Sequence, residues 1–494
     1  GGRHREWWHS YYPRSFISLN DTRTETVYWT QMFKLASTTR GDAPLIDHGM
    51  WQTPSPWTFL TWDLNVQLSY WHKTTSNRLD IGMGLVNWIW DHRTSLINNV
   101  AVEAWRSDSA RAPLNTGHDL YQPKEADMRI LDNAEANLTW AMHNCWMIYR
   151  RTMDDGLLRE KIFPMLKRAV NNQLHHLHEA EGRLHMPTTE SPEYGMARDA
   201  NYELASIRWG CQTLLEICGR LKLADTQMAQ WRDVLKRLAD YPVDENGFRV
   251  GADEPFRKAH RHHSHLLMIY PYCIVNIEQP GQAEVLRKSV NHFYGTNRAA
   301  YEKSKSWGVF AGYTYTLLSL MHAVLGDGEE AERFLNGFID YPLVTRNGMY
   351  AESGPVLETP LSAAHAVHEM LMQSWGDKIR LFPAVPASWS DITFHDLLAE
   401  GAFLVSAERR GGVNRWVRLR SLAGEPCRVR PALSGEVKAA GARAFKLTAV
   451  SEGVFEIDLK KGEDVLLYVG ATPPAAEVSA VPAKPEQLNW YGLK

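Results

Sequence analysis

The sequence predicts a mainly α-helical protein, an (α/α)6 toroid or barrel followed by a small C-terminal β-sandwich domain. Between residues 20 and 375, about eleven or twelve segments repeat apolar residues at helical spacing, with no strand pattern between them. From residue 377 onward, short segments alternate apolar and polar residues and are rich in Gly, Val and Pro. The length of 494 residues also exceeds one ordinary core, so two or more domains are expected.

The helical period is clearest in residues 138–149, 204–218 and 317–324. The sequence Gly-Asp-Gly at 326–328 predicts the end of one helix before another begins near Glu329. No short sequence repeat is present, which argues against a solenoid of the tetratricopeptide type. Many helices of similar length without such a repeat therefore favour a toroid.

The C-terminal region is predicted to form strands. Residues 403–407 alternate, Arg-Gly-Gly-Val at 410–413 is typical of a hairpin turn, and residues 455–459 alternate again. The chain is therefore expected to have four parts. They are a linker at 1–20, the barrel at 21–376, the β domain at 377–470, and an extended tail with several prolines at 471–494.

Composition argues against several classes of protein. The net charge of −3 and the lack of a Lys/Arg block argue against a nucleic-acid partner. No apolar run reaches 18 residues, so no membrane span is predicted. The five cysteines are odd in number and scattered, which argues against a disulfide framework. The 19 tryptophans are the outlier, because an indole ring can stack on a sugar or fill a core.

Glu193 is the most informative candidate residue. It lies in Thr-Thr-Glu-Ser-Pro-Glu-Tyr at 188–194, where Pro192 disfavours helical geometry at Ser191 and predicts a loop or turn. A carboxylate placed there could be a catalytic acid. The alternative is structural, since Pro followed by Glu also suits a first helical turn, where a carboxylate interacts well with the helix dipole.

A second candidate segment, residues 62–71, carries side-chain amides at Asn65 and Gln67. In a loop or strand the two amides would project together and could bind sugar hydroxyls or hold a water. In a regular helix, residues two apart cannot share a face. The structural alternative is a helix start with Asp63 or Asn65 as the cap.

A third segment, residues 260–265, contains four histidines in the order His-Arg-His-His-Ser-His. Zinc sites usually need i, i+4 or longer spacings and a further ligand. Sugar binding or a packing role for these histidines is therefore favoured over a metal site.

The last candidates are Glu352 and Glu358, on either side of Gly354-Pro355 and just before a helix predicted near Pro360. A carboxylate here could face a cavity as a general base, or could simply begin the helix. Hydrolysis of a glycoside needs two carboxyl groups flanking the bond. Since loops at one end of a helical toroid converge on a common cavity, Glu193 and Glu358 could form such a pair.

The order of these motifs resembles the catalytic domain of glycoside hydrolase family 95, the inverting α-L-fucosidases and α-L-galactosidases. The resemblance runs from about residue 15 to about residue 430. It depends on the segments 63–71, 191–193, 260–266, 369–374 and 381–386. Two positions depart from the family pattern: Glu358 stands in place of an Asp, and Gln67 in place of a second Asn that holds the water. The N-terminal β-sandwich of the family is also expected to be absent.

The resemblance implies an inverting hydrolase that cleaves a terminal α-linked sugar, an α-L-fucoside or a related hexoside, from an oligosaccharide or polysaccharide. Glu193 would be the general acid, with a pKa raised by burial. Glu358, with Asn65 and Gln67, would activate the attacking water. The residues expected to bind the sugar are Trp62, Trp71, His260, His262, His263 and His265. The resemblance implies no metal or organic cofactor, and a periplasmic or secreted location.

Three alternatives stay open at this point. The changed base segment allows another specificity, such as an α-L-galactosidase or an α-L-rhamnosidase. A phosphorylase with a similar barrel would need a phosphate pocket in place of the base, and Glu358 argues against one. A sugar-binding protein without catalysis would bind its ligand without turnover. The oligomeric state does not follow from the sequence.

Overall fold

The computed structural model describes residues 1–39, 59–122, 133–345, 348–352 and 355–482. Within these ranges the chain forms fourteen α-helices: α1 Gly2–Tyr11, α2 Thr22–Thr38, α3 Asn65–Thr75, α4 Leu79–Asp91, α5 Arg93–Asn98, α6 Asn137–Thr152, α7 Asp155–Leu157, α8 Phe163–His176, α9 Asn201–Leu221, α10 Met228–Arg237, α11 Gln282–Ser304, α12 Gly312–Val324, α13 Gly328–Ile339 and α14 Glu358–Leu371. Shorter helical turns lie at Tyr12–Arg14, Glu103–Ser107, Leu158–Ile162 and Ser264–Leu266.

The same ranges contain twenty-one strands, most of them short. They are β1 Phe16–Leu19, β2 Leu60–Thr61, β3 Asn115–Thr116, β4 His178–Ala180, β5 Arg183–His185, β6 Thr189–Ser191, β7 Gly195–Ala197, β8 Val243–Asp244, β9 Gly247–Phe248, β10 Tyr350–Ala351, β11 Pro355–Val356, β12 Met372–Gln373, β13 Ile379–Leu381, β14 Ile392–Ala399, β15 Phe403–Arg410, β16 Val413–Ser421, β17 Cys427–Arg430, β18 Lys438–Gly441, β19 Thr448–Ser451, β20 Val454–Ile457 and β21 Asp464–Tyr468.

The long helices form two layers around a common axis. The inner layer consists of α3, α6, α9, α12 and α14, which are buried on almost every face. All fourteen residues of α14 are buried, as are ten of the eleven in α3. Helix α3 packs between α14 and α6, α6 packs against α9, and α12 packs against α14. The sixth inner position is taken by the irregular segment around Ser264–Leu266, which packs against α9.

The outer layer consists of α2, α4, α8, α10, α11 and α13, each packed against an inner helix. These helices bury one face only. Helix α11 buries five of its 23 residues, and α10 buries two of ten. Such one-sided burial is expected for helices that cover a core. The predicted mainly α toroid is confirmed.

The inner helices begin at the same end of the barrel. Asn65 and Glu358, the first residues of α3 and α14, are hydrogen-bonded to each other. Tyr202, near the start of α9, donates a hydrogen bond to Asn137, the first residue of α6. We call this the upper end. At the lower end, where the inner helices finish, α3 and α6 contact β14 of the C-terminal domain.

The C-terminal domain contains two sheets, with the strand orders β1-β14-β15-β16-β21-β18 and β12-β13-β17-β20-β19. Neighbouring strands are antiparallel except β13 and β17. Alternate residues along the strands are fully buried, for example Val405, Ala407 and Leu419. This alternation is typical of two sheets packed face to face. The predicted C-terminal β-sandwich is confirmed.

The first twenty residues were expected to be a linker, but they form α1 and β1. Strand β1 pairs with β14, and Ile17 lies opposite Phe394. The linker prediction was wrong because the partner strand lies far along the chain, where local patterns give no sign of the pairing. At the other terminus, residues 471–482 form no helix or strand. The rest of the predicted tail, 483–494, lies outside the described residues.

All five cysteines are buried free thiols, in keeping with the expectation of no disulfide framework. Burial raises the pKa of the Cys145 and Cys211 thiols, so both stay protonated at neutral pH. None of the helices within the described ranges has the combination of length and apolar character that crossing a membrane requires.

Candidate active site

Glu193 occupies the third position of a tight turn between β6 and β7. The amide of Tyr194 donates a hydrogen bond of 2.9 Å to the carbonyl of Ser191, which closes the turn. Pro192 at the second position and a φ of 57° at Glu193 follow the pattern of a type II turn, whose third position favours glycine. The predicted turn is therefore present, and the alternative of a helix start was wrong.

The β6–β7 hairpin is held against the histidine-rich segment. The Tyr194 hydroxyl hydrogen-bonds to the backbone of residues 255–258. The hydroxyl oxygens of Ser191 and Ser264 lie 2.7 Å apart. A non-glycine residue in the left-handed region costs about 1–3 kcal/mol and persists only when its surroundings enforce it. These contacts supply that constraint and fix the position of Glu193.

Three basic side chains surround the Glu193 carboxylate. Its Oε2 lies 2.6 Å from a guanidinium nitrogen of Arg261, 3.0 Å from Nε2 of His262 and 3.7 Å from Nε2 of His260. Burial acts to raise the pKa of Glu193, but the contact with His262 and the positive charge of Arg261 outweigh burial and hold the pKa below its ordinary range. Glu193 is thus an ionised carboxylate, contrary to the raised pKa expected from the sequence.

Both neighbouring histidines are neutral. Burial lowers the pKa of His260 to about 2. Burial also lowers the pKa of His262, although the Glu193 carboxylate acts in the opposite direction. A neutral His262 contacts the carboxylate at 3.0 Å by donating its Nε2 proton, which leaves Nδ1 as an acceptor.

Asp63 is a further carboxyl group beside Glu193, on the turn before α3. Its side chain is 1% exposed, and neither of its oxygens has a hydrogen-bond partner within the described part of the chain. Burial, followed by the charges of Glu193 and Glu190, raises the pKa of Asp63 well above its ordinary value. Asp63 therefore keeps its proton to a higher pH than Glu193 does. From the sequence it was expected only as a possible cap, but α3 begins without a side-chain cap.

Glu358 and Asn65 meet at the upper end of the barrel. The Nδ2 of Asn65 donates a hydrogen bond of 3.1 Å to Oε1 of Glu358. Glu358 is 4% exposed and is the first residue of α14, where the helix dipole favours its negative charge. The two interpretations of Glu358, helix start and site carboxylate, are therefore compatible.

Gln67 does not reach this carboxylate. Its Nε2 donates to the carbonyls of Trp62 at 2.6 Å and Asn137 at 3.3 Å, and the residue is fully buried. Because α3 is helical from Asn65 onward, residues two apart point in different directions. Trp62 is also fully buried and donates its indole N–H to Thr116 at 2.8 Å. The roles expected for Gln67 and Trp62 are therefore not supported by their contacts.

Three other expected sugar-binding residues pack into the core. Trp71 is 4% exposed and lies about 9 Å from the start of α3. His265 stacks on Phe256 with ring centroids 4.7 Å apart, and His263 lies edge-on to Trp140 at 6.2 Å. Aromatic packing explains all three positions. Of the six expected residues, only the two histidines that approach the acidic turn remain at the site.

Two further residues at the site were missed from the sequence. Arg261 pairs with Glu193, and its guanidinium lies 5.0 Å from the centroid of the Trp307 ring. Trp307 is 40% exposed, just after α11. The position of Arg261 inside the histidine-rich segment was an available signal, whereas nothing local marks Trp307. Glu352, a candidate from the sequence, lies within the field of Arg261 and Glu193, and burial raises its pKa.

The carboxyl groups and a histidine come close enough to suggest a metal site. Asp63, Glu193 and His262 each offer one ligand atom, and these atoms lie within 4.8 Å of one another. However, the guanidinium of Arg261 contacts the same Glu193 oxygen at 2.6 Å. Its permanent positive charge opposes a cation at this position, so we assign no metal to the site.

A cavity of about 160 Å³ lies at the lower end of the barrel. It includes Glu369, which is about 16 Å from Glu358 along α14. Trp71 and Trp209 contribute to its aromatic wall. Burial raises the pKa of Glu369 to about 8. Arg150 at this cavity pairs with three carboxylates, those of Glu216, Asp377 and Glu400.

A helical toroid whose upper end combines buried carboxyl groups with amide, histidine and arginine side chains has the features of a carbohydrate-active protein. Comparison of the sequence with protein families gives two matches. The glycosyl hydrolase family 95 catalytic domain matches residues 20–371, and the C-terminal domain of glycoside hydrolase family 95 matches residues 373–467. The chain belongs to glycoside hydrolase family 95, as the order of its motifs predicted.

Individual relatives are distant. Alpha-L-fucosidase 2 of Arabidopsis thaliana is 25% identical over 380 residues, covering 70% of this chain and 42% of that protein. The chain thus spans less than half the length of this relative. A solved structure named for kojibiose phosphorylase from the human microbiome has a TM-score of 0.56 at 12% identity, and the match covers 95% of this chain and 69% of that one. This likeness shows the fold alone. An alpha-L-rhamnosidase of Streptomyces avermitilis, complexed with L-rhamnose, has a TM-score of 0.49 at 10% identity, with 92% and 42% coverage.

Proposed function

We propose that the protein is an inverting glycoside hydrolase that cleaves a terminal α-linked sugar, an α-L-fucoside or a related hexoside, from a glycan. The observation that carries this proposal is the pair of carboxyl groups at the upper end: Glu193 on a constrained turn and Glu358 bound by Asn65. Inverting hydrolysis needs one carboxyl group as acid and another that activates water. Family membership supports the same chemistry.

Glu193 is the proposed general acid. Its side chain is 31% exposed, whereas Asp63 and Glu358 are 1% and 4% exposed, so a bound glycan can reach Glu193 most easily. The constrained turn presents the carboxylate with little freedom to move. Such fixed placement is what a proton donor needs at the leaving oxygen.

Glu358 is the proposed base. A base in an inverting enzyme must be ionised and must be held on one side of the sugar to take a proton from water. The amide of Asn65 holds Oε1 of Glu358, and the start of α14 favours its negative charge. Asn65 thereby keeps the carboxylate oriented for the attacking water.

Trp307 is proposed to bind the sugar that leaves. The acid protonates the leaving oxygen, so that sugar must lie on the Glu193 side of the site. Trp307 is exposed there and stacks on Arg261, the ion-pair partner of Glu193. An indole offers a flat apolar face to a sugar ring. His260 and His262, which also approach Glu193, are proposed to contact the substrate near the cleaved bond.

The sugar class is proposed from the fucosidase relative and the family, and the departures at Glu358 and Gln67 keep a related hexoside within the proposal. The partner is an oligosaccharide or polysaccharide. A periplasmic or secreted location is proposed on the basis of the family alone.

The test uses a panel of α-linked L- and D-glycosides, with products followed by proton NMR from the first minutes of reaction. We expect release of one sugar as the inverted anomer. In Glu193→Gln and in Glu358→Gln, kcat is expected to fall by about 10²–10⁴-fold, the usual contribution of a general acid or base. The matched control is Glu369→Gln, which removes a carboxyl group from the lower cavity.

Release of the retained anomer, or full turnover by Glu193→Gln, would contradict the proposal. A protein that binds a sugar equally well with and without the Glu193 carboxyl group, and turns over no member of the panel, would instead be a sugar-binding protein.

A further inference from the structure

We propose that Asp63 supplies the proton with which Glu193 acts, and that the imidazole of His262 carries it between the two carboxyl groups. The inference rests on the proposed function, since it describes how the acid of that reaction is loaded. Asp63 itself would not touch the substrate. Its role is that of a positioning residue, because it determines where the proton is held.

His262 lies between the two carboxyl groups and offers one ring nitrogen to each. Its Nε2 is 3.0 Å from Oε2 of Glu193, and its Nδ1 is 3.9 Å from Oδ2 of Asp63. The second distance is about 1 Å longer than a hydrogen bond and too short to hold an intervening water. Because Asp63 has no hydrogen-bond partner within the described ranges, a small rotation of its carboxyl group can close the gap.

The surroundings favour different protonation states for the two carboxyl groups. Arg261 and His262 contact Glu193 and stabilise its ionised form. Asp63 is 1% exposed and has no cation in contact, so its neutral form is favoured. Neighbouring acids whose environments differ in this way take different roles in proton transfer. Asp63 therefore holds the proton in the resting state, and Glu193, which binds a proton less tightly, is the stronger acid toward the glycosidic oxygen once the proton has been transferred.

The transfer balances in protons and charge. The O–H bond of Asp63 breaks as an Nδ1–H bond forms on His262. The Nε2–H bond of His262 breaks as an O–H bond forms on Glu193. Glu193 then gives this proton to the glycosidic oxygen, while the C–O bond to the terminal sugar breaks and its electron pair stays on the leaving oxygen.

Reloading follows the same path in reverse. A proton from solvent reaches Glu193, which is 31% exposed, and passes through His262 to the buried Asp63. The proton that Glu358 takes from the attacking water returns to solvent. One water is consumed for each glycosidic bond, and every side chain regains its starting state.

The titratable and charged groups that face Asp63 come from several elements: Glu190 on β6, Glu193 on its turn, Arg261 and His262 in the histidine-rich segment, Tyr202 on α9 and Tyr313 on α12. Burial raises the pKa of both tyrosines, so they remain protonated. Arg261 keeps its charge and is paired with Glu193. Among these groups, Asp63, His262 and Glu193 are the ones joined by the contacts of 3.9 Å and 3.0 Å that form the path.

The test compares Asp63→Asn with wild type on two substrates that share one terminal sugar: α-L-fucosyl fluoride and an α-L-fucosyl-galactose disaccharide, or the same pair for the sugar that the panel selects. Fluoride leaves without protonation, whereas a sugar leaving group needs the acid. We expect kcat on the disaccharide to fall by about 10–100-fold. KM and the turnover of the fluoride are expected to stay within about twofold of wild type.

The pH profile gives a second readout. In Asp63→Asn, the acid would titrate with the lowered pKa of Glu193 alone. The basic limb of kcat/KM on the disaccharide is therefore expected to move to lower pH by about one unit or more. His262→Asn breaks the same path and should also lower kcat on the disaccharide relative to the fluoride, and the double variant should add little to that ratio.

Glu369→Gln is the matched control. Glu369 is buried at the lower end of the barrel and has no place in the path, so its replacement should keep the wild-type ratio of disaccharide to fluoride turnover. The inference is overturned if Asp63→Asn slows both substrates equally or changes neither. Failure of the proposed function is recognised separately, because Glu193→Gln would then hydrolyse the disaccharide at the wild-type rate.

Discussion

The two ends of the barrel contain the same kinds of side chain but use them differently. At the lower end, Arg150 pairs with three carboxylates, and Glu369 lies in a cavity walled by aromatic rings. At the upper end, Glu193 stands in a glycine-favouring turn position, and Asp63 has no hydrogen-bond partner within the described residues. Among the described residues of these two regions, the buried acid without a hydrogen-bond partner lies at the upper end, whereas left-handed backbone also occurs at the lower end, at Cys273 and Asp377.

The difference shows that composition alone does not identify a site in this fold. Tryptophan, histidine and glutamate line both regions, but mutual pairing at the lower end joins the barrel to the β domain. A buried carboxyl group without a hydrogen-bond partner calls for an explanation, and a functional role supplies one at the upper end. The comparison can be tested by substitutions that should act at one end and leave the other unchanged.

Among the substitutions that test this comparison, Asn65→Ala is expected to have the largest effect. It removes the hydrogen bond that orients the Glu358 carboxylate, and a bond to a charged group contributes about 1.5–3 kcal/mol. We expect kcat to fall by roughly 10–100-fold with little change in Tm. Gln67→Ala is the matched control: its amide binds two backbone carbonyls inside the barrel, so Tm should fall while kcat of the folded protein holds. Equal kinetic losses in the two variants would contradict the assignment.

A smaller effect is expected from Trp307→Ala. Losing one stacked ring contributes about 0.5–1.5 kcal/mol, so KM for a disaccharide should rise by roughly two- to tenfold. KM for the glycosyl fluoride, which has no leaving sugar, should not change. Trp90→Ala is the matched control, because Arg93 lies 4.4 Å from the ring of Trp90 on the outer helix α4. A rise in KM for both substrates would argue against a subsite for the leaving sugar.

Glu369→Gln is expected to leave activity unchanged. It should instead change how the free energy of unfolding depends on pH. Burial raises the pKa of Glu369 to about 8, so between its ordinary pKa and 8 the folded state holds a proton that the unfolded state has released. The free energy of unfolding of wild type therefore decreases as pH rises through this window, by at most about 1.4 kcal/mol per pH unit.

Glutamine does not titrate, so the stability of the variant relative to wild type should increase from pH 5 to pH 8. Thermal midpoints of both proteins at these two pH values would measure this. A constant difference between the midpoints, or lower activity of the variant at pH 6, would show that the two ends are less separate than we infer.

Local sequence patterns predicted the toroid, the β-sandwich and the turn at Glu193 because each depends on residues that are neighbours in the chain. Apolar spacing predicts helices, and Pro192 favours a turn. The positive φ at Glu193 could not be predicted, since it depends on contacts with the segment 255–258. The pairing of β1 with β14 could not be predicted either, because it also joins residues that are distant in the chain.

The site was only partly predictable. Asn65 and Glu358 were expected together, and the structure joins them by a hydrogen bond. Gln67 was expected beside Asn65, but the first turn of α3 directs the two side chains apart. Asp63 was considered only as a cap, because a sequence does not show that a carboxyl group will be buried beside another one. Side-chain direction at the ends of helices is the information that local patterns lack.

The pairing of β1 with β14 has a consequence for cutting the protein into domains. The barrel cannot be separated from the β-sandwich by one cleavage near residue 376, because Phe16–Leu19, which precedes the barrel, forms the edge of the sandwich sheet. Removing that strand would expose the backbone of the eight-residue Ile392–Ala399, and a long apolar edge invites pairing with other chains. The short segment before the first barrel helix therefore protects the protein from aggregation.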